Sequence, residues 1–157
     1  MGEVITLEEA QARRIVLHVS GKKLVFTNGH FDLLHVGHLD YLEKARALGD
    51  ALFVGINGDA STTRLKGTGR PLVPAAERAR LVAALQPVAA AILFDDDTAS
   101  ALIQALQPDV YVKGGDYRAK PLPERSTVEA YGGSVILIDT LPDHSTSALI
   151  ARIRKLP

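Results

Sequence analysis

The most informative absences in this sequence of 157 residues are cysteine, net charge and long apolar runs. Without cysteine there are no disulfides, thiolate metal sites or thiol nucleophiles, which is typical of a reducing compartment. Because 18 Lys and Arg residues balance 18 Asp and Glu residues, no net field attracts a polyanion such as nucleic acid. No segment is apolar enough for a membrane span or a signal peptide. We therefore expect a cytoplasmic protein with neither nucleic acid nor membrane as a partner.

What the sequence does contain is a regular alternation of apolar segments. A capping box formed by Thr6 and Glu9 opens a helix that ends by Gly21, and we expect residues 1–22 to form an N-terminal helical appendage. Five strands alternating with helices predict a single α/β domain with a doubly wound five-stranded parallel sheet. The strands are predicted at residues 24–27, 51–57, 91–94, 110–113 and 134–139. The helices are predicted at residues 36–48, 74–85, 99–107 and 147–155, with a shorter one after a capping box at Ser126 and Glu129.

Two segments, residues 62–73 and 114–123, fit neither a strand nor a helix and are rich in Gly, Pro and basic residues. In doubly wound folds the ligand sites lie on loops at the carboxyl ends of the strands. We therefore expect both segments to belong to a ligand site.

The segment TNGHFDLLHVGH, residues 27–38, follows the first of these strands and enters a helix, which is where such sheets bind phosphates. Gly29 and Gly37 allow close backbone approach, and the spacing of His35 and His38 places both imidazoles on one face near the helix N-terminus. Fixed donors at that point can stabilise charge that grows on phosphate oxygens. The alternatives are histidines that only pack, or a zinc site, for which a third ligand is missing. We predict no resident metal among these residues.

Two basic residues, the end of one strand and the start of the last helix supply further candidate site residues. Lys66 in a glycine-rich loop can reach phosphates or be an ordinary surface lysine, and Arg78 can clamp a phosphate or pair with an acid. Gly114 and Gly115 allow a base or ribose to approach, or form a plain turn, and Asp116 can accept hydrogen bonds from that ligand. The pair Ser145 and Thr146 before the last helix can bind a phosphate, cap the helix, or do both.

The string GHFDLLHVGH, residues 29–38, resembles the GxFDxxHxGH signature of the cytidylyltransferase-like nucleotidyltransferases. The resemblance continues in the family's order through NGDASTTRLKGTGRPLVP, AER at residues 76–78, VKGGDY and DHSTSALI. It implies that residues 23–157 form a Rossmann-like nucleotidyltransferase domain whose two signature histidines contact a triphosphate. Within the family, the sequence is most similar to the branch that adenylylates heptose 1-phosphate.

The resemblance implies transfer of AMP from ATP, with Mg²⁺, to a sugar phosphate such as heptose 1-phosphate, in a stand-alone homodimer. His30 occupies a place where relatives often carry a small or apolar residue, and its role stays open. The catalytic residues implied are His35, His38, Lys66 and Arg78, and the nucleotide-binding residues implied are Thr27, Asn28, Gly29, His30, Phe31, Asp32, Gly37, Lys113, Gly114, Gly115, Asp116, Ser145 and Thr146.

Two alternative functions stay open at this point. A cytidylyltransferase for glycerol 3-phosphate or a similar alcohol phosphate is the closer one. Against it, TLPDHSTS stands where those enzymes carry RTxGIS, and GGD stands where they carry GDD. A non-catalytic nucleotide-binding module is the other, and it would require a broken signature.

Overall fold

The computed structural model describes residues 1–157, in which helices cover both faces of one parallel sheet. The strands are β1 (Glu3–Val4), β2 (Leu24–Gly29), β3 (Ala51–Asn57), β4 (Ala90–Phe94), β5 (Val110–Gly114) and β6 (Ser134–Ile138). The helices are α1 (Leu7–Val19), α2 (Val36–Arg46), α3 (Asp59–Lys66), α4 (Ala75–Ala83), α5 (Ser100–Leu106), α6 (Arg125–Ala130) and α7 (Thr146–Ile153), with a 3₁₀ turn at Gly115–Arg118. None of these helices combines the length and the apolar character needed to cross a bilayer.

The strand order in the sheet is β1-β4-β3-β2-β5-β6, and every neighbouring pair is parallel. The predicted doubly wound α/β fold is confirmed. The chain builds one half of the sheet outward from β2 through β3 and β4, and then returns to β5 on the other side of β2. A crevice therefore opens between the carboxyl ends of β2 and β5, where such folds bind ligands.

The predicted number of five strands is wrong, because β1 is a sixth. Residues 3 and 4 pair with Ala90 and Ala91 of β4 at the edge of the sheet. Two residues are too short to show an alternating pattern, which explains why the sequence did not reveal this strand. Ile5 and Ala10 in the same N-terminal segment are also buried. The division of the chain after residue 22 stays a prediction.

Apolar side chains form one layer on each face of the sheet. Phe26 belongs to the layer that includes Tyr111, while its neighbour Val25 belongs to the layer that includes Leu42 and Val112. This division follows from strand geometry, because successive side chains point to opposite faces. Strands covered on both faces read as continuous apolar runs, as β3 does.

Two helix starts agree with the sequence, one differs, and the two unassigned segments both begin with helical turns. Thr6 forms the predicted capping box with Glu9, and Ser145 caps α7 by accepting from the Ala148 amide. The predicted capping box at Ser126 is wrong, because α6 already begins at Arg125 and has no side-chain cap. The start of the unassigned segment 62–73 is helical in α3, and the start of 114–123 holds the 3₁₀ turn.

Candidate active site

A cavity of about 420 Å³ opens at the carboxyl ends of β2 and β5, in the crevice that the topology creates. Its walls come from the loop after β2, the start of α2, the end of α3, the segment after β5 and the start of α7. The structure thus brings together segments that are far apart in the sequence. The predicted site residues that line the cavity are Asn28, Gly29, His30, Phe31, His35, Gly37, His38, Lys66, Lys113, Gly114, Asp116, Ser145 and Thr146.

A smaller cavity of about 260 Å³ adjoins the first and adds Asp32, Arg70 and Ser147 to the site. Lys66, Arg70 and the N-terminus of α7 contribute positive charge to its wall, which suits a polyphosphate, although the Asp32 carboxylate offsets part of the charge of Arg70. Five residues line both cavities, and we call them the junction: His30, Phe31, His38, Lys66 and Thr146.

His35 and His38 stack on each other at the N-terminus of α2, with ring centroids 3.9 Å apart. Burial, and after it the neighbouring His35, lowers the pKa of His38 to about 4. Burial, followed by His144, also lowers the pKa of His35. The two imidazoles are therefore neutral near pH 7, and each offers one donor. Their Nδ1 atoms are buried without a hydrogen-bond partner in the protein, which is a costly state for a polar atom.

Gly37 is required by the packing of this motif. A β-carbon at this position would lie 2.9 Å from Cβ of His144 and 3.0 Å from the His35 ring. The close approach that the sequence predicted is therefore made by the protein itself. It allows the loop before α7 to lie against the start of α2.

Phe31 and Asp32 shape the loop after β2. Phe31 has a φ of 49°, an uncommon conformation for a bulky residue, and its ring lies 5.3 Å from that of His38. The buried Asp32 carboxylate accepts hydrogen bonds from the amides of Leu72 and Val73 and from Arg70 Nε at 2.6 Å. Burial alone would raise the pKa of Asp32, but these three donors lower it below its ordinary value. Asp32 therefore holds the 67–74 loop in place as a carboxylate.

Arg78 does not line either cavity, although the sequence placed it among the catalytic residues. Its side chain is fully buried and donates to the carbonyls of His30 (2.6 Å), Asn57 (2.8 Å) and Val73 (2.8 Å). It also forms an ion pair with Asp59 at 2.8 Å. Of the two sequence-based alternatives for Arg78, pairing with an acid is the one present in the structure.

Polar groups in the floor of the site are hydrogen-bonded within the protein. Thr27 lies below it, hydrogen-bonded to Tyr41 and to the Val112 carbonyl. Lys113 donates to the Asn28 carbonyl at 3.2 Å, and burial lowers the pKa of this lysine. Thr27 does not line the cavities, and neither does Gly115.

Six cavity residues were missed by the sequence analysis, namely Tyr41, Tyr117, Thr140 and His144 in the larger cavity and Arg70 and Ser147 in the smaller one. A signal existed for Tyr41, which lies three positions after His38 on the same helix face. No comparable spacing marks Tyr117, Thr140 or His144, because only the tertiary fold brings their loops to the site.

Acidic groups are scarce in the site. Asp116 is the one carboxylate that lines the larger cavity, and it forms an ion pair with Lys120. No group of three His, Asp or Glu side chains is arranged to hold a metal ion. The Asp32 carboxylate of the smaller cavity is buried and already bonded to Arg70 and two amides, so a cation brought by a polyphosphate would find only Asp116 exposed and would take its other ligands from phosphate oxygens and water.

Comparison with known proteins gives consistent matches. A family model described as cytidylyltransferase-like matches residues 26–152, more than half of the chain. The bifunctional protein HldE of Geotalea uraniireducens is 54% identical over 134 residues, or 85% of this chain and 27% of that protein. HldE of Geobacter sulfurreducens is 48% identical over 97% of this chain and 29% of that protein, so this chain spans less than a third of these curated relatives. The structure of the lipopolysaccharide core biosynthesis protein from Thermoplasma volcanium superposes with a TM-score of 0.63 at 30% identity, covering 77% of this chain and 98% of that one.

Proposed function

Since this chain belongs to the cytidylyltransferase-like family of nucleotidyltransferases, we propose that it transfers AMP from ATP to heptose 1-phosphate, giving ADP-heptose and pyrophosphate. The observation that carries the proposal is the junction, where the imidazole of His38 and the ammonium of Lys66 meet the start of α7. The similarity to HldE and to a lipopolysaccharide core biosynthesis protein supports a sugar phosphate as the acceptor.

In the proposed reaction an acceptor phosphate oxygen attacks the α-phosphorus of ATP in line with the leaving pyrophosphate. The acceptor phosphate is already ionised at neutral pH, so no general base is required. This agrees with the neutral histidines, whose N–H groups can stabilise charge on the phosphate oxygens without giving up a proton. His35, His38 and Lys66 are the proposed catalytic residues.

The remaining predicted residues receive binding or positioning roles in this proposal. The polyphosphate lies in the smaller cavity against Arg70 and the start of α7, and the nucleoside lies in the larger one beside Lys113 and Asp116. Arg78 acts indirectly, because it holds the loops that carry His30 and Val73. We also propose a homodimer and a cytoplasmic location.

The donor set of the site fits Mg²⁺ that arrives with ATP, and Asp116 is the residue that would help to hold it. When bound, Mg²⁺ neutralises charge on the phosphates. We expect activity to need Mg²⁺ and to survive removal of zinc, because the site offers no thiolate and no group of three ligands. Activity lost on chelation and restored only by zinc would contradict this expectation.

The proposal is tested by measuring pyrophosphate release for ATP, CTP, GTP and UTP, each with heptose 1-phosphate, glycerol 3-phosphate and phosphoethanolamine. We expect ATP with heptose 1-phosphate to have the highest kcat/KM. A clear preference for CTP with glycerol 3-phosphate would identify the alternative cytidylyltransferase.

A further inference from the structure

His30, at the variable position of the signature, is held at both of its ends. Its backbone carbonyl accepts a hydrogen bond from Arg78 at 2.6 Å, and its Nδ1 lies 2.9 Å from the buried hydroxyl of Thr62 on α3. Nε2 of His30 has no hydrogen-bond partner in the protein, and it is not one of the buried nitrogens that lack a partner, which belong to His35 and His38. Because His30 lines the cavity, this nitrogen is accessible to a ligand there. A side chain fixed in this way is preorganised to contact a ligand at the junction.

The surroundings of Thr62 decide which ring nitrogen carries the proton. Its hydroxyl lies 2.9 Å from Nδ1 of His30 but 3.4 Å from the Asn57 carbonyl, which already accepts from Arg78 at 2.8 Å. When the Thr62 hydroxyl donates to Nδ1, the imidazole proton is on Nε2, and when it donates to the Asn57 carbonyl, the imidazole proton is on Nδ1. The first arrangement presents an N–H donor to the junction, and a phosphate oxygen bound at Nε2 selects it because only that tautomer has a donor there.

The electrostatics of the junction suit a neutral donor. Burial, followed by Lys66, Arg78, Lys113 and Arg70, lowers the pKa of His30 to about 4, so the ring does not charge near pH 7. The smaller cavity carries the positive groups that a polyphosphate needs, and the larger one leads to the segment after β5. The α-phosphorus of ATP, which joins the nucleoside to the pyrophosphate group, would then lie between the two cavities, beside His30.

We propose that His30 is a third catalytic imidazole, which donates from Nε2 to an α-phosphate oxygen, and that Thr62 is the positioning residue that selects this tautomer. The inference rests on the proposed nucleotidyl transfer. In that step the acceptor oxygen bonds to the α-phosphorus while the bond to the bridging oxygen breaks, and its electron pair leaves with pyrophosphate. The proton of His30 Nε2 stays on the ring throughout.

The kinetic test compares His30→Ala, Thr62→Val and Thr62→Ser with the wild-type chain. We expect His30→Ala to lower kcat about a hundredfold while KM for ATP changes about threefold or less, because the lost donor acts mainly in the transition state. Thr62→Val, which keeps the shape and removes the hydroxyl, should lower kcat about tenfold because the wrong tautomer becomes accessible. Thr62→Ser should restore most of the loss. A near-normal kcat for His30→Ala would overturn the proposal.

A double-mutant cycle separates positioning from a general effect on the fold. If Thr62 acts through His30, Thr62→Val has no further effect on kcat in the His30→Ala background. An equal tenfold loss in both backgrounds would overturn the role of Thr62. Ser61→Ala is the matched control, since it removes a neighbouring buried hydroxyl that bonds Asn57 and the Gly58 carbonyl, and its kcat should stay within about twofold.

A spectroscopic test does not depend on the acceptor. In protein with ¹⁵N-labelled histidine, the His30 signals, identified by their loss in His30→Ala, should show a protonated Nε2 and a bare Nδ1. Adding ATP with Mg²⁺ should shift Nε2 more than Nδ1. A protonated Nδ1, or no response to ATP, would overturn the inference even if the enzyme is active. The same signature in a chain that releases no pyrophosphate would contradict the proposed function and leave the contact standing.

Discussion

Arg78 and the histidine pair of the signature are buried polar groups in the same part of the molecule, but they differ in what satisfies them. Arg78 is surrounded by three carbonyls and the Asp59 carboxylate, all from the protein. The Nδ1 atoms of His35 and His38 have no partner. Since an unpaired buried polar group costs free energy, a protein keeps one mainly where another molecule completes it. The comparison assigns Arg78 to the fold and shows that the fold supplies no partner for the histidine Nδ1 atoms, which agrees with the ligand-binding role proposed for this pair.

The largest effect is expected at Arg78, whose hydrogen-bond partners all belong to the protein. Arg78→Met leaves three buried carbonyls without their donor, and we expect a loss of about 3 kcal/mol in the free energy of unfolding measured with urea. Arg80→Met, at an exposed position of the same helix, is the control and should cost less than about 0.5 kcal/mol. Unchanged stability together with a raised KM for ATP would instead identify Arg78 as a phosphate clamp.

The second prediction concerns His38, one of the two signature histidines. His38→Ala should lower kcat by about a hundred- to a thousandfold, because it removes one preorganised donor. The midpoint of unfolding should change little, because no protein group loses a hydrogen bond. Near-normal kcat with a sharply lowered midpoint would show that His38 is a packing residue.

A smaller effect is expected at Lys66, which is exposed and lines both cavities. Lys66→Met should lower kcat/KM for ATP about tenfold, as expected for one flexible charge near phosphates, and leave the urea midpoint unchanged. Lys22→Met, at another exposed position far from the motif in sequence, is the control. Equal kcat/KM values for the two variants would remove Lys66 from the site.

The last prediction concerns the dependence of stability on pH. The folded-state pKa of His38, about 4, lies below the ordinary value of 6.5, so the unfolded chain binds more protons between these values. The stability contributed by the neutral imidazole is complete above pH 6.5 and is lost as the pH falls toward 4. We expect the urea midpoint to drop over this range, and to drop less in His38→Gln. Identical pH profiles would show that His38 is not shielded from water.

The sequence predicted the fold class and the family, and both are confirmed, because apolar periodicity and the GHFDLLHVGH string are local signals. It did not predict α3, whose Thr62 and Thr63 have low helix propensity but whose buried face packs beneath the loop after β2. Nor did it place Arg78, because its partner Asp59 lies 19 positions away and only the fold brings the two together. The roles of the candidate site residues stay predictions.

The Asp32 carboxylate has a consequence for the local opening of the chain. A surface loop with glycines, such as residues 67–74, usually opens alone and exchanges its amide hydrogens quickly. Here, opening would strip a fully buried carboxylate of two amides and of Arg70. The amide hydrogens of Leu72 and Val73 should therefore exchange at rates close to those of the central strands. We therefore expect this wall of the cavity to open only together with the sheet.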